Sequence, residues 1–330
     1  MGRLLWSQSA RLVPAAGAAL ILSGCASFGL NYLHPLGPRC ASALEHARPE
    51  VTAEEADRFT LVSFNIKFGE RPEQAGQALV RAELDSIDVL LLQEVDLRST
   101  MLVAELLGHN YVYYPGAIHP ASERQFGLAV LSPWPIRNDR KILLPWFESG
   151  DDARKIAMAA TVWPHGQPVG IMNTHLQSGL TPVKTGDQLQ AITGCIYTAT
   201  CQQAGAPMLD ELPYYVLAGD LNTRTSDSLR VADVVLGWSG LSRVPNIGRT
   251  YRYLPFGFDH IYASRDLEVQ TSRVITGLGD TGSDHLPIYA VLGFGGPERE
   301  PWDGFDTQAP WSASTTPSTG SCDCPPDGCA

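Results

Sequence analysis

The sequence predicts a mixed α/β domain in which much of the strand pairing is antiparallel. Three observations point to it. Short apolar runs of strand length recur between Arg58 and Gly295, stretches of helical periodicity fall among them, and several strand candidates follow one another across short turns. Strict strand–helix alternation, the mark of a doubly wound sheet, is missing, and no internal repeat is visible.

Taken in order, FTLVSFNI (59–66) alternates like a strand, and DVLLLQEV (88–95) is an apolar run of buried-strand character. Between them PEQAGQALVRAELDS (72–86) has helical spacing. Ser99 or Thr100 can cap a helix that Gly108 closes. Strand candidates follow at YVYYP (111–115), GLAVLS (127–132), KIAMAATVW (155–163) and PVGIMNTHL (168–176). A helical stretch covers about 183–200, YYVLAGDL (214–221) returns to strand, and a helix is expected near 226–236. FDHIYAS (258–264) and LPIYAVL (286–292) are the last strand candidates.

The flanks have a different composition. Residues 1–24 carry Arg3 and Arg11 ahead of an apolar stretch, Leu12 to Leu22, which reads as an export signal too short to span a membrane stably. It ends in Leu-Ser-Gly-Cys, which resembles the lipobox of bacterial lipoproteins. The resemblance implies lipidation at Cys25, anchorage to the bacterial envelope and, with Ala26 following, the outer membrane. Residues 25–57 then form a tether and 58–294 the domain. Residues 295–330, rich in Pro, Gly, Ser and Thr, are expected to be disordered. Beyond Cys25, the chain has Cys40, Cys195, Cys201, Cys322, Cys324 and Cys329, and an exported chain can keep disulfides. Cys195 and Cys201 could pair only if the helix ends between them.

The 330 residues are 44% hydrophobic with a formal net charge of −11, which argues against a broad basic face for nucleic acid. Part of that charge belongs to the tail, which has six acids and one base after Gly295. Chemistry at a single phosphate is not excluded.

Polar residues recur where the apolar runs end. Asn65, Gln93 with Glu94, Asn173 with His175, Asp220 with Asn222, Asp259, and Asp284 with His285 all hold such positions. If the strands lie side by side, these groups gather at one edge. Crowded acids repel unless a cation neutralises them, and carboxylate and amide oxygens are what Mg²⁺ accepts. Each signal alone is weak: Gly-Asp-x-Asn is often only a turn. Together SFNI, LLQEVD, NTHL, GDLNTR, FDHI and GSDHLP resemble, in order and spacing across residues 58–294, the endonuclease/exonuclease/phosphatase superfamily of metal-dependent phosphoesterases.

The resemblance implies a four-layer α/β sandwich of the DNase I-like kind, two mixed β-sheets packed face to face with flanking helices. It implies Mg²⁺, or Mn²⁺ or Ca²⁺ in its place, on Glu94 with Asn65 and Asp284 close by. Asp220 and Asn222 would position the attacking water and hold a phosphate oxygen. His175 would contact the phosphoryl group or assist the leaving oxygen. Asp259 would orient His285, which acts as general base or as an imidazolium. Arg124, Arg224, Arg249 and Arg252 are candidate phosphate contacts. GDLNTRTSDS is similar to the run in sphingomyelinase-like members, so phospholipid headgroups stand beside nucleic acid and small phosphoesters as substrates of a monomeric enzyme. Two rival readings are a non-catalytic binding lipoprotein, which expects lost catalytic positions, and an adhesion protein working through its tail, for which no binding motif is present.

Overall fold

A computed structural model of the chain describes residues 38–42, 56–118, 124–146, 155–197 and 212–295. Cys25, the rest of the export signal, most of the tether and the 296–330 tail lie outside them, as do Cys201 and the side chain of Cys195.

The elements in chain order are β1 (Cys40–Ser42), β2 (Arg58–Asn65), α1 (Pro72–Val80), β3 (Val89–Val95), α2 (Leu97–Leu107), β4 (Asn110–Ile118), β5 (Gln125–Ser132) and β6 (Ile136–Leu143). There follow β7 (Ile156–Val162), β8 (Val169–His175), α3 (Pro182–Tyr197), β9 (Tyr214–Asp220), α4 (Ser226–Trp238), β10 (Leu241–Arg243), β11 (Asp259–Ser264), β12 (Leu267–Val274) and β13 (Ile288–Phe294). One sheet has seven strands in the order β1-β4-β5-β3-β2-β13-β12, the other six in the order β10-β11-β9-β8-β7-β6. Pairing is antiparallel except for β2–β3 and β8–β9, which are parallel.

Three apolar clusters account for four layers. Leu91, Val130, Met158, Ile171, Val216 and Ile288 are among those filling the space between the sheets. Ala159, Met172, Leu189, Leu217 and Leu236 join the six-stranded sheet to α3 and α4. Val62, Leu79, Leu90, Leu92 and Val103 join the seven-stranded sheet to α1 and α2. Strand β3 shows why its sequence is apolar throughout. Leu90 and Leu92 face the helices while Leu91 faces the other sheet, and all three are fully buried. Each such side chain contributes about 1.5–3 kcal/mol of burial. The expected face-to-face sandwich of two mixed sheets is what the chain forms.

Local differences from the sequence reading have physical causes. Helix α1 stops at Val80 rather than near 86, with the Arg81 N–H bonded back to Gln77 O and Leu79 O. Helix α2 is capped not by Ser99 or Thr100 but by Asp96, whose carboxylate accepts the Ser99 N–H at 2.7 Å. Strands β6 and β12, IRNDRKIL and LEVQTSRV, lie at sheet edges and alternate too much polar material to read as apolar runs. Helix α3 ends at Tyr197, between Cys195 and Cys201. Cys40 is disulfide-bonded. Among the described residues no helix is long and apolar enough to cross a membrane.

Candidate active site

Both parallel pairs run out at the same edge. In β2–β3 the register sets Asn65 opposite Gln93, and in β8–β9 it sets His175 opposite Asp220. The carboxyl ends of parallel strands therefore deliver Asn65, Glu94, His175 and Asp220 to one place. Two backbone features aim the acids. Pairing of β3 with β5 shifts between Gln93 and Val95, and Glu94 at the bulge has φ 53°. That left-handed residue re-aims its side chain while Gln93 stays in the buried interior. Before Asp220, Gly219 has φ 148°, and a Cβ there would meet Thr174 O at 1.9 Å, so only glycine lets β9 approach β8 this closely.

The gathered atoms are close. Asn65 Nδ2 donates to Glu94 Oε1 and to Asp220 Oδ2, both at 3.1 Å. His175 Nε2 lies 3.5 Å from Asp220 Oδ2 and 3.8 Å from Glu94 Oε1. On the far side His285 Nδ1 meets Asp259 Oδ2 at 2.8 Å, which leaves Nε2 as the nitrogen nearer the centre, 3.7 Å from Asp220 Oδ2. Asp220 thus belongs to two sets of potential ligands, one with Glu94 and His175, the other with Asp259 and His285. Asn222, in the left-handed region at φ 48°, donates its side-chain N–H to Leu176 O, and its backbone N–H to Asp220 Oδ1.

Electrostatics follow from burial and crowding. Burial pushes Asp220 up to about 6, with Asp259 and Glu94 adding to the rise and His285 opposing it. Burial would lower His285, but Asp259 and Asp220 outweigh it and carry the imidazole up to about 10. His175 is held well below its ordinary value by burial, then by Lys155 and His285, so it sits neutral. The opposed carboxylates of Glu94 and Asp220 are a hard-oxygen pair whose mutual repulsion a divalent cation would remove. The donor set fits Mg²⁺ or a similar ion, with Glu94 and Asp220 as the residues to hold it.

The sequence-derived residues do not all converge. Glu94, His175, Asp220, Asn222, Arg224 and His285 line one cavity of about 310 Å³. Asp259 lies behind His285. Asn65 lies beneath the carboxylates, with its Oδ1 taken by the Lys67 N–H at 3.0 Å, so its donor side faces the acids. Asp284 stands outside both ligand sets; its carboxylate accepts from Tyr251 Oη at 3.4 Å. The chain bends at 282–284, and of the two neighbours only His285 lines the cavity. Arg124 pairs with Asp96, which caps α2. Arg252 donates to Thr281 Oγ1 and Gly279 O, and Arg249 to the carbonyls of Tyr251 and Arg252. Structural acceptors thus occupy these three guanidinium groups, and none of them lines the cavity.

Lys155 was missed. It lies at the cavity wall, only 8% exposed, with Nζ 3.9 Å from the Phe126 ring centroid. In sequence it is a lone lysine ahead of an apolar run. The only signal was that run's full burial, which makes a charge at its mouth costly unless used. Ser178 also lines the cavity and carried no signal of its own, whereas Tyr251, Phe256 and Phe258 lie in the family-like GRTYRYLPFGFDHI stretch without being singled out.

Residues 62–285 match the Endonuclease/Exonuclease/phosphatase family. No curated protein matches the chain significantly. Among solved structures, an endonuclease/exonuclease/phosphatase from Beutenbergia cavernae DSM 12333 is similar at 21% identity, covering 73% of this chain and 72% of that one, with a TM-score of 0.54. The human Nocturnin catalytic domain with bound sulfate anion is similar at 18% identity, covering 72% and 95%, with a TM-score of 0.55. D. rerio TDP2 complexed with single strand DNA product is similar at 17% identity, covering 72% and 99%, with a TM-score of 0.53. The family match spans the whole edge just described, from β2 to His285, and the chain belongs to the endonuclease/exonuclease/phosphatase family as a metal-dependent hydrolase of phosphoester bonds.

Proposed function

We propose that the chain is an envelope-anchored, Mg²⁺-dependent phosphoesterase that hydrolyses a phosphodiester or phosphomonoester by in-line attack of water. The observation that carries this reading is the convergence, at one sheet edge, of Glu94 and Asp220 with the Asp259–His285 pair. Bound beside the two carboxylates, the ion would supply Lewis-acid chemistry at the phosphoryl oxygens.

The chain's own residues do the rest. Asp220 and Asn222, locked to each other by a 2.9 Å bond, hold the attacking water and orient it along the line of displacement. Asp259 fixes the His285 tautomer, so a proton is held or moved at Nε2, facing the phosphate. His175, kept neutral, offers a hydrogen bond to a phosphoryl oxygen. Lys155 and Arg224, which also line the cavity, offset charge that builds on the equatorial oxygens. Asn65 bridges the two carboxylates by donating to both, which offsets part of their repulsion. Asp284, outside both ligand sets and bonded to Tyr251 Oη, would add only its charge to the surroundings of an ion held by Glu94 and Asp220. The intact catalytic set speaks against a non-catalytic binding module.

The sulfate on the nocturnin domain and the DNA product on TDP2 support an anionic phosphoester as substrate here. Anchorage at Cys25 rests on the lipobox-like Leu-Ser-Gly-Cys, and the Cys40 disulfide is in keeping with export.

The test is hydrolysis of bis(p-nitrophenyl) phosphate, plasmid DNA, sphingomyelin and phosphatidylinositol phosphates by the purified chain with and without Mg²⁺. Activity should require the ion, and Glu94→Gln should remove most of it, because the change keeps shape and deletes the charge. Full turnover in excess chelator would overturn the mechanism.

A further inference from the structure

The cavity has two unlike sides. One is the polar edge already described. The other is built by Tyr251, Leu254, Phe256 and Phe258. Three of these four are rings, and the catalytic imidazole belongs to the same aromatic set. The His285 ring lies 5.3 Å from Tyr251 and 5.9 Å from Phe258. From Tyr251 the next ring is Tyr253, at 5.8 Å, and from Phe258 it is Phe256, at 5.6 Å and stacked. A continuous aromatic surface therefore runs outward from the reacting centre for two ring spacings and ends in Tyr253, which is 74% exposed.

This surface is fixed before any ligand arrives. The N–H groups of Thr250 and Tyr251 both donate to Phe256 O, so residues 250–256 close on themselves. Thr250 Oγ1 accepts the N–H groups of Phe258 and Asp259, which ties the loop to β11. Leu286 N donates to Thr250 O and Arg252 N to Asp284 O, which ties it to the segment carrying His285. Solvent-facing aromatic side chains on a braced loop cost hydration without adding to the core. That cost is offset if they stack on something that enters the cavity.

We propose that this wall is a subsite for a flat, unsaturated group esterified to the phosphate, an aryl ring or a nucleobase, and that Phe256 with Tyr253 selects for it. The proposal rests on the phosphoesterase reading and names its substrate class. An alkyl chain fits less well, since Leu254 is the one aliphatic side chain on that side, whereas ring faces gain most from another π-system. Arg224, 5.9 Å from the Phe258 ring, sits where the wall meets the polar edge and adds a cation beside the stacking surface.

The experiment uses three monoesters with the same phosphoryl group and different appendages: adenosine 5′-monophosphate, hexyl phosphate and glycerol 3-phosphate. Binding to the full chain in Mg²⁺ is read by calorimetry. The nucleotide should bind about ten-fold tighter than glycerol 3-phosphate, the scale of one base stacked on an aromatic side chain, and Phe256→Leu should cut that gap to about three-fold. Because leucine keeps the apolar bulk and loses the ring face, hexyl phosphate should be unaffected by that change. Tyr253→Ser, at an exposed position, should weaken the nucleotide alone and guards against misfolding of the first variant. Hexyl phosphate binding as tightly as the nucleotide would overturn the proposal in favour of an acyl-chain surface. Equal binding of all three would overturn it outright while leaving the phosphoesterase reading intact. If none binds and bis(p-nitrophenyl) phosphate is not hydrolysed, the phosphoesterase reading falls, and this proposal with it.

Discussion

Asp259 and His285 are 26 positions apart in sequence and joined by a 2.8 Å hydrogen bond, whereas Asp284 and His285 are adjacent and serve different surroundings. The difference should show in kinetics. His285→Ala removes a group placed to act on the reacting phosphate, so kcat should fall about 10²-fold or more, with no recovery as Mg²⁺ is raised. Asp259→Asn should be a milder version of the same defect, since it disturbs the tautomer and leaves Glu94 and Asp220 alone. Asp220→Asn should lower kcat, because Asp220 orients the attacking water, and should also raise the Mg²⁺ concentration needed for half-maximal rate, by more than Asp284→Asn does, because only Asp220 is gathered with Glu94. The measurement is kcat against Mg²⁺ for the four variants; full rescue of His285→Ala by metal would reverse the assignment. Legibility at this scale was uneven for a physical reason. The acids and histidines at strand ends could be found because their chemistry is costly there. Lys155 could not, because a lysine ahead of an apolar run looks like an ordinary solvated end until the fold buries it. Arg124 and Arg252 looked like phosphate contacts because a sequence does not show that Asp96 and Thr281 already occupy them.

Strands β3 and β8 belong to different sheets, and each ends in a polar pair: Gln93 with Glu94 on one, Asn173 with His175 on the other. One member of each pair builds the site and the other supports it. Gln93 Nε2 donates to Asn173 Oδ1 at 2.8 Å, and Asn173 Nδ2 donates to the carbonyls of Leu92 and Ala129, each at 2.9 Å. This buried polar rung crosses from sheet to sheet directly beneath the catalytic edge, in a region that is otherwise apolar. Asn173→Ala would leave two carbonyls and one amide without these partners, at a cost of about 3 kcal/mol or more. Thermal unfolding should then move down by roughly 10 °C, given the usual shift of a few degrees per kcal/mol for a domain of this size. An unchanged midpoint would mean that water replaces the rung at little cost. The sequence marked Gln93 and Asn173 as strand-end polar residues. It did not pair them, because sheet-to-sheet register depends on twist and packing that no single strand encodes. Edge strands β6 and β12 escaped for a related reason: with few apolar residues, they are recognisable as strands only beside a neighbour.

The two sheets repeat one arrangement without any repeat in sequence. Each has a single parallel pair, β2–β3 or β8–β9, in an otherwise antiparallel set, and the four carboxyl ends meet across the sandwich. On the proposed function, a net charge of −11 would not bar a phosphate from this cavity: Lys155, Arg224 and an ion beside Glu94 and Asp220 would set the local field, and distant charge is screened. On the proposed anchorage, the placement of this edge relative to a membrane would govern substrate supply, and it would turn on Cys25. A single acyl chain binds a bilayer only marginally, while several chains hold firmly, so lipidation of the lipoprotein kind should move essentially all of the protein into a membrane phase. Detergent phase partitioning of cells expressing the wild type and Cys25→Ser measures this directly. The wild type should enter the detergent phase and the variant the aqueous phase. Both should hydrolyse a soluble diester such as bis(p-nitrophenyl) phosphate at the same rate, because residue 25 precedes the domain at 58–294 by more than thirty positions. Equal aqueous partitioning of the two would end the anchoring idea while leaving the catalytic edge untouched. A loss of soluble-substrate activity in Cys25→Ser would instead mean that the lipid end of the chain contributes to the fold.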